Sequence, residues 1–220
     1  MDENIISNEN LDDFILSLSM NEDNDVFELK EYAINNDVPI IRNGTKDLIK
    51  LLINIKKPKN ILEVGTAIAY STIIMARIDK EIKITTIEDF PKRQEEAEKN
   101  IKKYDNYNQI TLIKDDATNF FENNKEENIY DLVFLDAAKG QYINWLPYIK
   151  RLMKSGSILI ADNIFKEGEI LESKFAIKKR NRTIHKRMGE YLYSIFHDDD
   201  LKSFIIKIDD GVAISIKNDK

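Results

Sequence analysis

Residues 130–163 read YDLVFLDAAKGQYINWLPYIKRLMKSGSILIADN. An apolar run halts at Asp136, a helical pattern follows in INWLPYIKRLM, and a second apolar run, SILIADN, halts at Asp162 and Asn163. Strand, helix and strand at this spacing form a right-handed crossover unit with parallel strands. In an open parallel sheet, ligands gather beyond the carboxyl ends of the strands. Two neighbouring strands that end this way bring two carboxylates and an amide to one small volume. Three hard oxygen ligands suit Mg²⁺ better than zinc or copper. The chain has no cysteine and two histidines, so a soft-metal site has little to build with. Taken singly, Asp162-Asn163 also fits a turn and Asp136 a helix N-cap. Together, and with what lies upstream, they favour the metal set.

The pattern extends in both directions. NILEVG (60–65), KITTIE (83–88) and ITLIKD (110–115) read as strands, followed by helical STIIMARI, PKRQEEAEKNIKKY and ATNFFEN. This alternation predicts an α/β fold, a parallel sheet with helices on both faces. The last runs, KSFIIKI and GVAISI, are joined by Asp209-Asp210-Gly211, a hairpin signal that ends the sheet in an antiparallel pair. Upstream, LDDFILSLSM, DNDVFELKEYAINNDV and TKDLIKLLINIKK carry helical spacing, the last two stopping before Pro39 and Pro58. The expectation is a single domain over 1–220, with N-terminal helices in 1–57 and a Rossmann-like core in 58–220.

The composition narrows the setting. The 220 residues are 42% hydrophobic, enough for one sizeable core, and the net charge of -6 argues against a surface that coats nucleic acid. Lack of cysteine excludes a disulfide framework and fits a reducing compartment. The acidic start MDENIISNENLDD is unlike a signal peptide, and no apolar run reaches membrane-spanning length. A cytoplasmic protein is expected, with neither membrane nor DNA as partner.

ILEVGTAIAYS (61–71) follows the order strand, glycine turn, helix. Gly65 lets the backbone lie against a ligand, and the following helix start offers free N–H groups. One glycine is too few for a pyrophosphate loop. Glu63, just before Gly65, suits a cationic amino-acid group. Glu88, at the end of the next strand, can take both ribose hydroxyls or stand as a solvated strand end. Asp116-Ala117 can meet an adenine amino group, and the Asp115-Asp116 pair also fits a plain helix cap. The order of these features favours S-adenosylmethionine over NAD.

Taken together, ILEVGTAIAYS, TTIE, YDLVFLDAAKGQY and ILIADN resemble the metal-dependent O-methyltransferases of the catechol and caffeoyl-CoA type, over residues 38 to 217. The resemblance implies a seven-stranded, mostly parallel sheet with an antiparallel final strand, the Rossmann-like class I methyltransferase fold. It implies a divalent ion, Mg²⁺ or another, on Asp136, Asp162 and Asn163. It implies an S-adenosylmethionine site lined by Ile41, Gly65, Ser71, Glu88, Asp116 and Ala117, with Asp136 near the methyl donor and Tyr142 beside its amino-acid end. A homodimer is also implied. The family usually has glycine where this chain has Ala69; a methyl group there, one turn beyond the closest approach, is expected to narrow the cleft and weaken donor binding without abolishing it.

Methyl transfer to oxygen is an in-line displacement that needs the acceptor hydroxyl deprotonated. A bound Mg²⁺ fixes the acceptor and lowers its pKa, most readily when two adjacent oxygens chelate it. Lys139 is the candidate base, its pKa expected to fall through burial and the nearby cation; the alternative is that it pairs with a ligand carboxylate.

From Lys174 to Arg187 the chain carries Lys174, Lys178, Lys179, Arg180, Arg182, Lys186 and Arg187 without an acidic residue. This is the footprint of a polyanion partner, although charge runs are more often solvated helix faces. KKRNRTIHKRMGEYL also resembles the bacterial tRNA 5-hydroxyuridine methyltransferases, which make 5-methoxyuridine at the wobble position. That resemblance implies the tRNA anticodon loop as partner. The 5-hydroxyl and 4-carbonyl of that base are vicinal oxygens, as in a catechol. The alternative is a small-molecule catechol or caffeoyl-CoA-type enzyme.

Overall fold

The structure is a computed structural model, in which Phe14, Leu18, residues 24–165 and residues 182–219 are described. Beyond Phe14 and Leu18 come two helices, α1 (Asn24–Asn35) and α2 (Asn43–Lys56). Alternation follows: β1 (Asn60–Val64), α3 (Tyr70–Ala76), β2 (Lys83–Glu88), α4 (Pro91–Tyr104), β3 (Ile110–Lys114), α5 (Ala117–Asn123), β4 (Tyr130–Leu135), α6 (Tyr142–Leu152) and β5 (Met153–Ala161). A 3-10 turn, Lys139–Gln141, separates β4 from α6. Helix α7 (Arg182–Phe196) and the strands β6 (Leu201–Ile206) and β7 (Val212–Lys217) complete the chain.

The seven strands form one sheet in the order β3-β2-β1-β4-β5-β7-β6. Strands β1 to β5 are parallel, and β7 runs antiparallel between β5 and β6. The expected fold is the one observed. Successive residues point to opposite faces. Ile61, Leu132, Phe134, Ile158 and Ile160 therefore enter a core shared with α1, α2 and α3. Leu62, Val64, Val133, Leu135 and Leu159 enter a second core with α5, α6 and α7. Burial on both faces explains why these strands read as continuous apolar runs rather than alternating ones.

One boundary differs from expectation. Strand β5 begins at Met153 rather than Ser157, because a register shift lets Tyr130 pair Met153 before Leu132 pairs Ile158. Gly156, at φ 67, accommodates the irregularity. Of the first predicted helix, Phe14 and Leu18 are described and both are helical; its remaining residues lie outside the described residues. Among the described residues, no helix is long and apolar enough to cross a membrane.

The topology fixes the site. From β1 the chain steps outward through β2 to β3, then returns to lay β4 on the other side of β1. The loops leaving β1 and β4 diverge, opening a cleft beyond their carboxyl ends.

Candidate active site

Gly65 and Asp136 meet at that cleft. Gly65 has φ 100, and a Cβ placed on it would come 2.2 Å from the Asp136 carbonyl oxygen. Only glycine lets the two strand ends sit so close. The cleft has two lobes that share Gly65 and Glu88. A lobe of about 310 Å³ is lined by Glu88, Asp116, Ala117, Ala138, Gln141 and Trp145 among others. A smaller one, about 120 Å³, is lined by Ile41, Thr66, Ala67, Tyr70, Ser71 and Asp136 among others.

Most of the expected cofactor residues come together here. Glu88 is nearly buried; its carboxylate accepts the backbone N–H of Ala67 at 2.8 Å and of Phe90 at 3.1 Å. Burial raises its pKa, the backbone donors opposing the shift. Asp116 lines the larger lobe and also caps α5, accepting the Thr118 N–H at 2.6 Å.

Two residues are placed otherwise. Glu63 is fully buried behind the cleft wall, where its carboxylate accepts the hydroxyls of Ser71 (2.5 Å), Thr86 (2.6 Å) and Thr72. Burial pushes its pKa up to about 7 despite these donors. An alternating strand turned Glu63 towards α3, away from the opening. Tyr142 is also fully buried; its hydroxyl donates to the Leu135 carbonyl at 3.0 Å, and Gln141 lines the lobe in its stead. The expectation for Ala69 is likewise corrected. Its side chain is buried in the core, so the methyl group does not narrow the cleft. What it brings is a left-handed backbone, φ 66, at the N-cap of α3.

The oxygen-rich corner lies one residue past the strand ends. Leu135 and Ala161 are register partners, which sets Asp136 and Asp162 side by side. Asp162 is buried, and burial together with the Asp136 charge pushes its pKa up to about 6. Asn163 follows directly at φ 54. Among the described residues no group of three His, Cys, Asp or Glu could hold a metal; Asn163 adds an amide, a further oxygen donor, directly after Asp162. Two like charges held close in a partly buried corner are costly, and a hard divalent cation would relieve that cost. The donor set fits such an ion.

Lys139 Nζ lies 2.9 Å from Asp136 Oδ1 and 3.3 Å from the Tyr142 hydroxyl. Burial works against its ammonium, but Tyr142, Asp136 and Asp162 outweigh it, and the pKa is raised. The expected depression rests on burial together with a bound cation; without the cation these counter-charges outweigh burial.

Of the basic stretch, Arg182, Lys186 and Arg187 lie on α7, while Lys174, Lys178, Lys179 and Arg180 lie outside the described residues. Lys186 pairs with Glu190 at 3.5 Å. Arg187 donates to the Gly140 carbonyl at 3.2 Å, tying α7 to the turn that carries Lys139.

Sequence reasoning missed Trp145, whose Nε1 donates to Thr118 at 3.2 Å on the wall of the larger lobe. It sits inside the apolar helical stretch INWLPYIKRLM, where nothing sets it apart. It also missed Thr45 and Asp209, which meet beside Asp162.

The O-methyltransferase family model matches residues 16–218. This chain belongs to the O-methyltransferase family. The O-methyltransferase is 30% identical over 169 residues to a catechol O-methyltransferase of Niastella koreensis, covering 74% of this chain and 76% of that one. It superposes on a candidate caffeoyl-CoA O-methyltransferase of Staphylococcus aureus with a TM-score of 0.86 and 33% identity, over 94% of this chain and 98% of that one. A Bacillus cereus O-methyltransferase in complex with SAH shares the fold at a TM-score of 0.83 and 20% identity, over 94% and 97% of the two chains.

Proposed function

We propose that this O-methyltransferase uses S-adenosylmethionine and a divalent cation to methylate 5-hydroxyuridine at the wobble position of tRNA, giving 5-methoxyuridine. The observation that carries the reading is a two-lobed cleft whose smaller lobe ends on Asp136, beside Asp162 and Asn163. The larger lobe would take adenosine, with Glu88 on the ribose hydroxyls, Asp116 and Ala117 on the adenine edge and Trp145 at its side. The smaller lobe, with Ile41, Gly65 and Ser71, would take the methionine portion and leave the methyl group towards Asp136.

Asp136, Asp162 and Asn163 would hold the cation, which when bound fixes a chelating acceptor and lowers the pKa of its hydroxyl. The chain's own part is alignment. Close packing of Gly65 on Asp136 keeps donor and acceptor subsites on one rigid junction, as in-line displacement requires. Lys139, protonated beside Asp136, places positive charge where the acceptor oxygen develops negative charge. Its service as the base requires that Asp136 be engaged elsewhere, since only then does the ammonium lose its nearest counter-charge.

The tRNA part rests on the basic stretch, and the bond from Arg187 to Gly140 supports it by joining that stretch to the Lys139 turn. A small-molecule catechol or caffeoyl-CoA acceptor is the second reading, favoured by the names of the relatives. Binding at two salt concentrations separates them. With about four phosphate contacts, tRNA affinity should fall roughly 50- to 150-fold between ~50 and ~200 mM salt. Salt-independent turnover of catechol, with no methylation of hydroxyuridine-bearing tRNA, would favour the second reading.

A further inference from the structure

We propose that Thr45, anchored by Asp209, is a positioning residue that holds Asp162 ready for the cation; the inference rests on the divalent-ion reading of Asp136, Asp162 and Asn163. Asp162 Oδ1 accepts the Thr45 hydroxyl at 3.1 Å and the Asn163 N–H at 2.8 Å. Oδ2 accepts no hydrogen bond among the described residues. One oxygen is tied to the protein and the other keeps its lone pairs for a ligand. Carboxylates that bind metals depend on such outer partners for their orientation.

Thr45 is itself fixed. Its backbone N–H donates to Asp209 Oδ2 at 2.6 Å, and its hydroxyl lies 3.0 Å from the same oxygen. The hydroxyl is thus within hydrogen-bond reach of both carboxylates and bridges Asp162 to Asp209. Thr45 is fully buried, so bulk water does not compete. Gly44 makes room for the arrangement, since a Cβ there would come 2.8 Å from Asp209 Oδ2 and 2.6 Å from Ile208 Cγ2.

Asp209 belongs to the turn between β6 and β7, and that turn also braces the chain leaving Asp162. Ile164 N–H donates to the Gly211 carbonyl at 3.0 Å and Phe165 N–H to the Asp210 carbonyl at 2.9 Å. A Cβ on Gly211 would stand 2.3 Å from the Phe165 ring. Side chain and backbone of the Asp162 loop thus hang on one hairpin, which reaches the site through the first turn of α2.

The test is Mn²⁺ affinity of the full chain, read from the electron paramagnetic resonance of free Mn²⁺. Thr45→Val is expected to weaken binding about 10- to 100-fold. Thr45→Ser, which keeps the hydroxyl, is expected to match the parent, with S-adenosylmethionine affinity unchanged in both. Asp209→Ala, which removes the anchor without altering Thr45 or Asp162, is expected to weaken Mn²⁺ in the same direction. Unchanged Mn²⁺ affinity in Thr45→Val and Asp209→Ala overturns the proposal. So does equal weakening by Thr45→Val and Thr45→Ser, which would assign the effect to packing. If the parent chain takes up no Mn²⁺, the metal reading falls and this proposal falls with it.

Discussion

Glu88 Oε2 accepts the backbone N–H of Ala67 at 2.8 Å, and Ala67 stands in the left-handed region at φ 48. The acid that ends β2 therefore holds the loop that leaves β1, and one side chain serves both lobes of the cleft. Replacing Glu88 by alanine should release the loop and remove the acceptors offered to a ribose. Charge-assisted hydrogen bonds contribute about 1.5–3 kcal/mol each, so S-adenosylmethionine affinity should fall at least tenfold by titration calorimetry. Unaltered affinity would remove Glu88 from the donor site.

Ala69 tests what a methyl group does at a position where a glycine was expected. Relief of a left-handed alanine gains roughly 1–2 kcal/mol, and loss of a buried methyl costs about 0.8 kcal/mol. Ala69→Gly should therefore change stability by no more than about 1 kcal/mol in urea unfolding. Donor affinity should stay the same, because the methyl group lies in the core. A marked rise in affinity would mean that the methyl group does obstruct the cleft.

Two glycines should respond oppositely to alanine. At Gly65 the added carbon meets the Asp136 backbone at 2.2 Å, which a rigid strand end cannot yield to. A loss of about 3 kcal/mol or more, or a chain that does not fold, is expected. At Gly189, inside α7, a Cβ meets nothing within 4 Å, and helix propensity should add about 1 kcal/mol. Thermal unfolding of the two variants checks both signs.

Glu63 should make stability depend on pH. Its pKa rises from 4.5 when unperturbed to about 7 in the folded chain, chiefly through burial. Between those values the folded state binds more protons than the unfolded state. Stability is therefore lost as pH rises towards 7 and above, by an amount on the order of 3 kcal/mol. Glu63→Gln, which cannot ionise, should flatten the decline in urea midpoint between pH 5 and pH 8. An equal decline in both proteins would place the titration elsewhere.

The sheet was legible because its strands are buried on both faces, so NILEV, YDLVFL and SILIA stand out as apolar runs at crossover spacing. Asp136, Asp162 and Asn163 were legible for a related reason: a polar residue ending such a run lies at the ligand edge. Facing was harder to read. Glu63 and Gly65 are two residues apart, yet Glu63 turns inward to three hydroxyls while Gly65 bounds the cleft. Nothing in the local pattern marks Thr45 and Asp209 as partners, since 164 residues separate them and only the antiparallel return of β7 brings them together. Lys139 does lie beside Asp136, but the direction of its pKa without a cation depends on the Tyr142 and Asp136 contacts at 3.3 and 2.9 Å, which a sequence does not display.

Oxygen methylation assisted by a divalent cation on Asp136, Asp162 and Asn163 is the proposed reaction. Its most direct test is mass spectrometry of nucleosides from hydroxyuridine-bearing tRNA incubated with S-adenosylmethionine and purified protein, with and without chelator, alongside Asp162→Ala. 5-Methoxyuridine is expected from the parent chain with Mg²⁺, and loss of nearly all product with chelator or in the folded Asp162→Ala protein. Full conversion by Asp162→Ala in the presence of chelator would contradict it.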